Sequence, residues 1–265
     1  MRPMKIAVII AAVLAVTGVA VVLATNGGIE GLGSNSTQQA PADQPKGTLI
    51  VRAADQTDPT KKLAGASVTI IQVGGTERFD TSTDANGEAV FSNLPLGKYV
   101  ISVAKTGYTP LAGPRRVTNT TQPVINEALL RPFPHPLDLE GCDLSVSTQL
   151  LQVKPGDTAA LQVYAYHGAP QTAQVRFEEQ VTIVGKGEDP QAGRQSIQLL
   201  SPTLYTAEFS PRETTITGTN TVTSTLSITF DPSVPPDFYS IGVTAWAMGD
   251  LLGCSGSIGV LVEVT

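Results

Sequence analysis

"TSTDANGEAVFSNLPLGKYVISVAKTGY", Thr81 to Tyr108, is the stretch whose reading decides the fold. Two turn signals in it flank alternating apolar runs. Asn86-Gly87 suits the positive φ angles of a tight hairpin turn, and Asp84 is placed to accept backbone N–H bonds within that turn. Leu94-Pro95-Leu96-Gly97 turns a corner, with Pro fixing φ and Gly relieving the backbone after it. Tyr99, Ile101 and Val103 then alternate with Val100, Ser102 and Ala104, the period of a strand. The Tyr99 ring is expected inside, with its hydroxyl finding a partner.

The same acids raise a chemical alternative. A calcium loop of the EF-hand kind takes oxygen ligands at positions 1, 3 and 5, glycine at 6 and a bidentate glutamate at 12. With Gly87 at the sixth position the ligands are Ser82, Asp84 and Asn86, but Asn93 stands at the twelfth. Turn chemistry is therefore the preferred reading, and Asp84 and Asn86 remain the candidate calcium ligands. No cofactor is expected.

Outward from this stretch the pattern stays β. Leu49, Val51 and Ala53 alternate in "GTLIVRAAD"; Val68 and Ile70 face one way in "AGASVTIIQV", and Ile71 and Val73 the other. In the second half Leu161, Val163 and Ala165 alternate, as do Leu226, Ile228 and Phe230. Tyr239, Ile241, Val243 and Ala245 do the same, followed by Ile258, Val260, Val262 and Val264. Short β-branched runs between turn signals predict two β-sandwiches, the second of them antiparallel. Trp246 lies on the face opposite Tyr239 and is expected to pack.

The N-terminus differs. Arg2 and Lys5 precede an uncharged apolar run, Ile6 to Ala24, close to the roughly 20 residues that cross a bilayer as a helix. That length favours a retained anchor, while Val22-Leu23-Ala24 offers a signal peptidase site. Either way the positive charges stay inside and the remainder is exported. Membrane contact is expected through this helix if it is uncleaved; if it is cleaved the chain is secreted. The predicted organisation is a signal anchor or signal peptide at 1–25, a flexible linker at 26–46, a β-sandwich at 47–131, a Pro-rich spacer at 132–136 and an Ig-like β-sandwich at 137–265.

Composition narrows function. Charged residues make up 15% of the chain and the net charge is −6, with no Lys/Arg cluster after the N-terminus, which argues against nucleic acid. Cys142 and Cys254, near the two ends of the second domain, fit an exported protein with one disulfide; two buried free thiols are the alternative. Catalytic zinc needs about three protein ligands. The only histidines, His135 and His167, stand outside any His-x-x-Glu or His-Glu-x-x-His pattern and are read as exposed loop residues. "GCSGSIG" around Cys254 lacks the frame of a serine nucleophile elbow. The acids of "GKGEDPQAGR", Gly185 to Arg194, read as a solvated loop.

The first domain resembles the carboxypeptidase regulatory-like family. The shared pattern is Leu63-Ala64-Gly65-Ala66, then Thr83-Asp84-x-x-Gly87, then Leu94-Pro95-x-Gly97-x-Tyr99, then Gly107-Tyr108. The resemblance implies a transthyretin-like β-sandwich serving as a structural or binding module, without the catalytic unit of a carboxypeptidase. A neighbouring family, the pilus-type B domain, forms an internal Lys–Asn isopeptide bond. Here Arg52 and Ala53 stand where its lysine is needed, and Ser102 and Val103 where its carboxylate is needed, so no crosslink is expected. The second domain is similar to Ig-like modules of surface proteins through "VKPGDTAALQV" and "PPDFYSIGVTA". Together these imply a non-enzymatic, exported surface protein with a structural or adhesive role and envelope proteins or glycans as partners. The alternative is an accessory ectodomain that recognises glycan or peptide for a partner enzyme.

Overall fold

The computed structural model describes residues 45–75, 77–135, 142–168, 172–183, 198–248 and 255–265, all within one compact unit. The apolar run Ile6 to Ala24, most of the linker, the Gly185–Arg194 loop and Cys254 lie outside the described residues. Among the described residues no helix is long and apolar enough to cross a membrane.

The described chain is all-β. The first half holds β1 (Lys46–Asp55), β2 (Ser67–Gln72), β3 (Arg78–Ser82), β4 (Glu88–Pro95), β5 (Gly97–Ala104), β6 (Tyr108–Thr109), β7 (Leu111–Val117) and β8 (Val124–Pro132). They form two sheets, ordered β4-β1-β8-β6 and β3-β2-β5-β7. The alternation read from sequence gives the core between them: Leu49, Val51, Ala53, Val68, Ile70 and Tyr99 are each 0% exposed. β1 pairs antiparallel with β4 but parallel with β8, so this sheet is mixed.

The second half holds β9 (Cys142–Val146), β10 (Leu150–Val153), β11 (Thr158–His167), β12 (Thr172–Ile183), β13 (Tyr205–Ser210), β14 (Glu213–Thr217), β15 (Thr221–Phe230), β16 (Asp237–Met248) and β17 (Ser255–Val264). Its sheets are ordered β13-β15-β11-β9 and β10-β17-β16-β12-β14. Leu161, Val163, Leu226, Ile228, Phe230, Ile241, Val243, Val260 and Val262 fill the space between them. The antiparallel arrangement expected for this domain is corrected in one pairing. After β9 the chain leaves one sheet for the other, and β10 pairs parallel with β17.

Each sandwich is pinned by a tyrosine four residues after a proline. The Tyr99 hydroxyl donates to the Pro95 carbonyl at 2.8 Å, and the Tyr239 hydroxyl to the Pro235 carbonyl at 3.0 Å. Such corners let a buried phenol satisfy its polar end at the point where the chain turns. Burial pushes the Tyr99 hydroxyl up to about 12.

The two sandwiches meet through a small apolar seam. Ile71 and Val100 face outward from the β3-β2-β5-β7 sheet and are still buried. They pack with Leu150 and Phe238 of the second sandwich, flanked by Val73, Ala112 and Leu261. This explains why "SVTIIQV" and "GKYVISVA" are apolar on both faces: one face meets the first core, the other the neighbouring sandwich. Polar contacts close the seam. Arg78 Nη1 donates to Gln152 Oε1 at 2.9 Å, Gln152 Nε2 to Glu263 Oε2 at 2.7 Å, and the Ala112 N–H to Gln149 Oε1 at 2.9 Å. Arg131 of β8 bridges to the buried Asp143 of β9, which also accepts the N–H groups of His135 and Leu144.

Trp246 is corrected by the same geometry. It shares the outer face of β16 with Phe238, but the seam covers only the Phe238 end. Trp246 is 45% exposed, and its indole N–H donates to Glu178 Oε2 at 3.1 Å.

Candidate functional site: a polar turn and a groove between sandwiches

Asp84 and Asn86 spend polar groups on closing a turn. Asp84 Oδ1 accepts the N–H groups of Asn86 at 2.8 Å and Glu88 at 2.9 Å, while Asn86 Nδ2 reaches Oδ2 at 3.5 Å. The Gly87 N–H donates to the Asp84 carbonyl at 3.0 Å, and the Asp84 N–H to the Glu88 carbonyl at 2.8 Å. Within this turn only Gly87 has positive φ, at 74°. The expected two-residue Asn-Gly hairpin is therefore corrected to a turn closed from Asp84 to Gly87 with a glycine bulge after it. It does not join neighbours of one sheet: β3 and β4 lie in opposite sheets. The turn is the point where the chain crosses the sandwich.

Bonds from the Glu88 and Asn86 N–H groups hold the Asp84 carboxyl below its ordinary value. A lowered carboxyl stabilises the fold above the unfolded value of about 3.9 and loses that contribution as pH falls below it. Asp84→Asn is therefore expected to lower the melting temperature at pH 7 and to have a shrinking effect towards pH 2. Millimolar calcium should leave the melting temperatures of both proteins unchanged; a calcium-dependent rise lost in Asp84→Asn would restore the ion site.

The remaining sequence candidates scatter. His167 is corrected from an exposed loop residue: it ends β11 and is 1% exposed. His135 lies in the connection after β8, where its N–H donates to Asp143 Oδ2 at 3.0 Å; among the described residues no group of three or more His, Cys, Asp or Glu side chains is arranged to hold a metal. Cys142 opens β9, its backbone paired with that of His167. Arg52 lies on an outer sheet face, bridged to Glu88 at 2.8 Å and to Glu127 at 3.4 Å, whereas Ala53 and Ser102 are buried.

Two titratable clusters escaped the sequence reading. Asp55, buried at the end of β1, accepts from the Thr57 hydroxyl at 2.7 Å and the Thr57 N–H at 2.8 Å. It also accepts from Lys61 Nζ at 3.1 Å and the Tyr108 hydroxyl at 3.0 Å. The Thr57 hydroxyl, then its N–H, Lys61 and Tyr108, hold the carboxyl far below the usual range. The Thr57 and Lys61 contacts close the loop after β1 and the Tyr108 contact ties that loop to β6, so this is a structural lock that fixes Tyr108.

Glu179 is the second. In the β12 register it shares the inward parity of Phe177 and Val181, with Arg212 at 4.0 Å and 15% of its side chain exposed. Burial pushes its carboxyl up, with Arg212 pulling the other way. A raised carboxyl costs nothing below the unfolded value of about 4.3, and its cost grows as pH rises through the folded value. Glu179→Gln is expected to raise the melting temperature at pH 7 and to leave it unchanged at pH 4. Calorimetric melts at both pH values check this.

One concave feature of ligand size among the described residues is a groove of about 530 Å³ where the first sandwich meets β9 and β11. Lys105, Gly107 and Tyr108 wall one side, Ser145, Ser147 and Tyr164 the other, and Phe133 bridges them. The Phe133 and Tyr164 rings lie 6.3 Å apart, tilted by 48°. Lys105 Nζ donates to the Ala64 carbonyl at 2.7 Å, across a place left open by Gly65. The volume falls in the range of ligand pockets, roughly 300–1,000 Å³. A second cavity, about 10 Å³ inside the second core, is too small for a ligand.

Comparison with known proteins agrees with the local motif. Residues 52–129 match the model of the carboxypeptidase regulatory-like domain. No curated protein matches the chain. Among solved structures, the major pilin subunit BcpA of Bacillus cereus is 14% identical, with 83% of this chain and 69% of that one covered and a TM-score of 0.31. The major pilin SpaD of Corynebacterium diphtheriae is 13% identical over 82% and 66%, with a TM-score of 0.29. A streptococcal ancillary pilin is 14% identical over 84% and 62%, also at 0.29. Likeness at this level identifies neither a partner nor a mechanism.

Proposed function

We propose that the chain is a non-catalytic, exported surface protein in which a transthyretin-like and an Ig-like sandwich act as one stiff structural or adhesive module. The observation that carries this reading is the seam of Ile71, Val100, Leu150 and Phe238, which buries apolar side chains between the sandwiches. Sandwiches joined by a flexible linker alone would reorient freely. A buried seam holds their outer faces and the groove between them in fixed relation, which suits a module that bears load or presents a surface. The apolar run Ile6 to Ala24, as anchor or signal, supplies the export.

A non-catalytic role fits the ionisable groups. Asp55, Asp84 and Asp143 spend their oxygens on bonds that close turns and join strands, and Glu179 has Arg212 as its near charge. A Cys142–Cys254 disulfide belongs to the same reading. β9, which Cys142 opens, packs against β17, which starts one residue after Cys254. Non-reducing peptide mapping is expected to find the two cysteine peptides joined and two hydrogens lighter than their reduced sum.

Protease shaving of intact cells that carry the chain tests the location. Release of fragments from the β-rich half supports the proposal; full protection until lysis sinks it. Catalytic turnover by the purified chain would overturn the non-enzymatic part. A second reading, recognition of a glycan or peptide, is favoured by the aromatic groove.

A further inference from the structure

We propose that the groove between the sandwiches binds an acidic oligosaccharide, a glycan segment that carries uronate or an equivalent sugar carboxylate. The inference deepens the surface-module reading and rests on it only for the place where such a glycan would be met.

Three features of the groove carry the assignment. The first is its rings. Tyr108, Phe133 and Tyr164 are each partly exposed, and they stand on three different segments that packing brings to one cleft. Phe133 and Tyr164 support each other's orientation. Tyr108 is held by its hydroxyl bond to the buried Asp55 and by Lys61, whose Nζ lies 5.6 Å from the ring centroid. Rings with two torsions, already tethered, lose little freedom when a ligand stacks on them. The C–H face of a pyranose is the flat, weakly polar surface that such rings accept.

The second is the kind of polar group present. Ser67, Thr106 and Ser147 line the groove and are exposed. A hydroxyl both donates and accepts, which matches a ligand that itself presents hydroxyls. Ser147 Oγ already accepts the Gln162 N–H at 3.0 Å, which leaves its proton directed elsewhere.

The third is charge. The protein has a net charge of −6, yet the described residues lining this groove include one ammonium, Lys105, and no carboxylate. Lys105 keeps one of its three donors on the Ala64 carbonyl, which fixes the stem and leaves two donors for a ligand anion. Gly107, with φ at 82° and open space where a side chain would stand, keeps the mouth beside it clear. A single cation among hydroxyls and rings selects a polyhydroxylated ligand with spaced negative charge over a densely charged polyanion.

Titration calorimetry with the full-length chain provides the test. The probes are a galacturonate oligosaccharide, the neutral galactose oligosaccharide of the same length and linkage, and an oligoglutamate peptide. The uronate is expected to bind at least tenfold tighter than the neutral sugar, with a preference that weakens as salt screens Lys105. Lys105→Gln should abolish that preference. Tyr164→Ala should weaken the uronate at least tenfold, whereas Tyr164→Phe, which keeps the ring, should retain most of the binding. Matching melting temperatures establish that the variants are folded. Failure of the uronate to bind overturns the proposal, as does equal affinity for both sugars, or binding untouched by Lys105→Gln and Tyr164→Ala. Oligoglutamate binding as tight as the uronate's, lost in the same variants, assigns the groove to peptide and overturns the glycan. Shaving tests where the chain resides and calorimetry tests what the groove holds, so either reading can fail alone.

Discussion

Gly87→Ala is expected to cost about 3 kcal/mol or more, far beyond an ordinary surface substitution. Two effects add. The first is backbone conformation: φ at Gly87 is 74°, and an L-residue there costs roughly 1–2 kcal/mol. The second is space. A Cβ at this position would stand 2.5 Å from the Ala53 carbonyl oxygen and 3.2 Å from the Leu63 nitrogen, both backbone atoms that no rotamer change can move aside. Ala53 is fully buried in β1; its N–H donates to the Gly87 carbonyl at 2.8 Å and its carbonyl accepts the Leu63 N–H at 3.0 Å. Relieving the clash breaks one of these buried bonds, worth about 1–3 kcal/mol when a partner is left unsatisfied. Gly74→Ala is the control. Its φ is similar, 79°, but nothing lies within 4 Å of the added carbon, so only the conformational part is lost. Urea unfolding of both variants should show Gly87→Ala losing at least twice as much stability. Equal losses would mean that the close approach to β1 has no energetic weight.

The same turn shows what the sequence could and could not disclose. Asp84, Gly87, Pro95 and Tyr99 act within a few residues of themselves, so their chemistry is readable from a short window. Their destination is not. That Asp84–Gly87 carries the chain between sheets, rather than closing a hairpin, depends on β2 and β1, which capture β3 and β4 respectively. Alternation in β1, β5, β11 and β16 was legible because each inward position is apolar. β12 was not, because Glu179 occupies an inward position and Glu178 follows the outward pattern beside it. β6, two residues long, is too short for any period. The second tyrosine corner was open to view, since Pro235 to Tyr239 repeats the spacing of Pro95 to Tyr99. The groove was hidden for a different reason: Lys105, Phe133 and Tyr164 are distant in the chain and become neighbours only when the seam forms. The two-faced apolar character of Ile71 and Val100 was the one local hint of that seam.

The seam itself yields the other large expected effect. Phe238 is 4% exposed, although it faces outward from its own sandwich, because Ile71, Val100 and Leu150 cover it. Phe238→Ala removes a buried ring and leaves a void between two sheets that are each stiffened by their own core. The expected loss is about 3–5 kcal/mol, the range for burying then truncating an aromatic side chain. The more telling consequence concerns cooperativity. With the seam intact, opening of either sandwich exposes apolar surface on the other, so both should unfold together. In Phe238→Ala that coupling is weakened, leaving Arg131–Asp143 and the Arg78–Gln152–Glu263 chain as the main ties. Melting is then expected to broaden or split. Hydrogen exchange should rise in β2 and β5 of the first sandwich, although Phe238 belongs to the second. Ile241→Ala, equally buried but inside the second core, should destabilise that sandwich while leaving exchange in β2 and β5 closer to the parent value. If the two substitutions affect β2 and β5 alike, the sandwiches are not joined energetically through this seam, and the stiff-module reading loses its support.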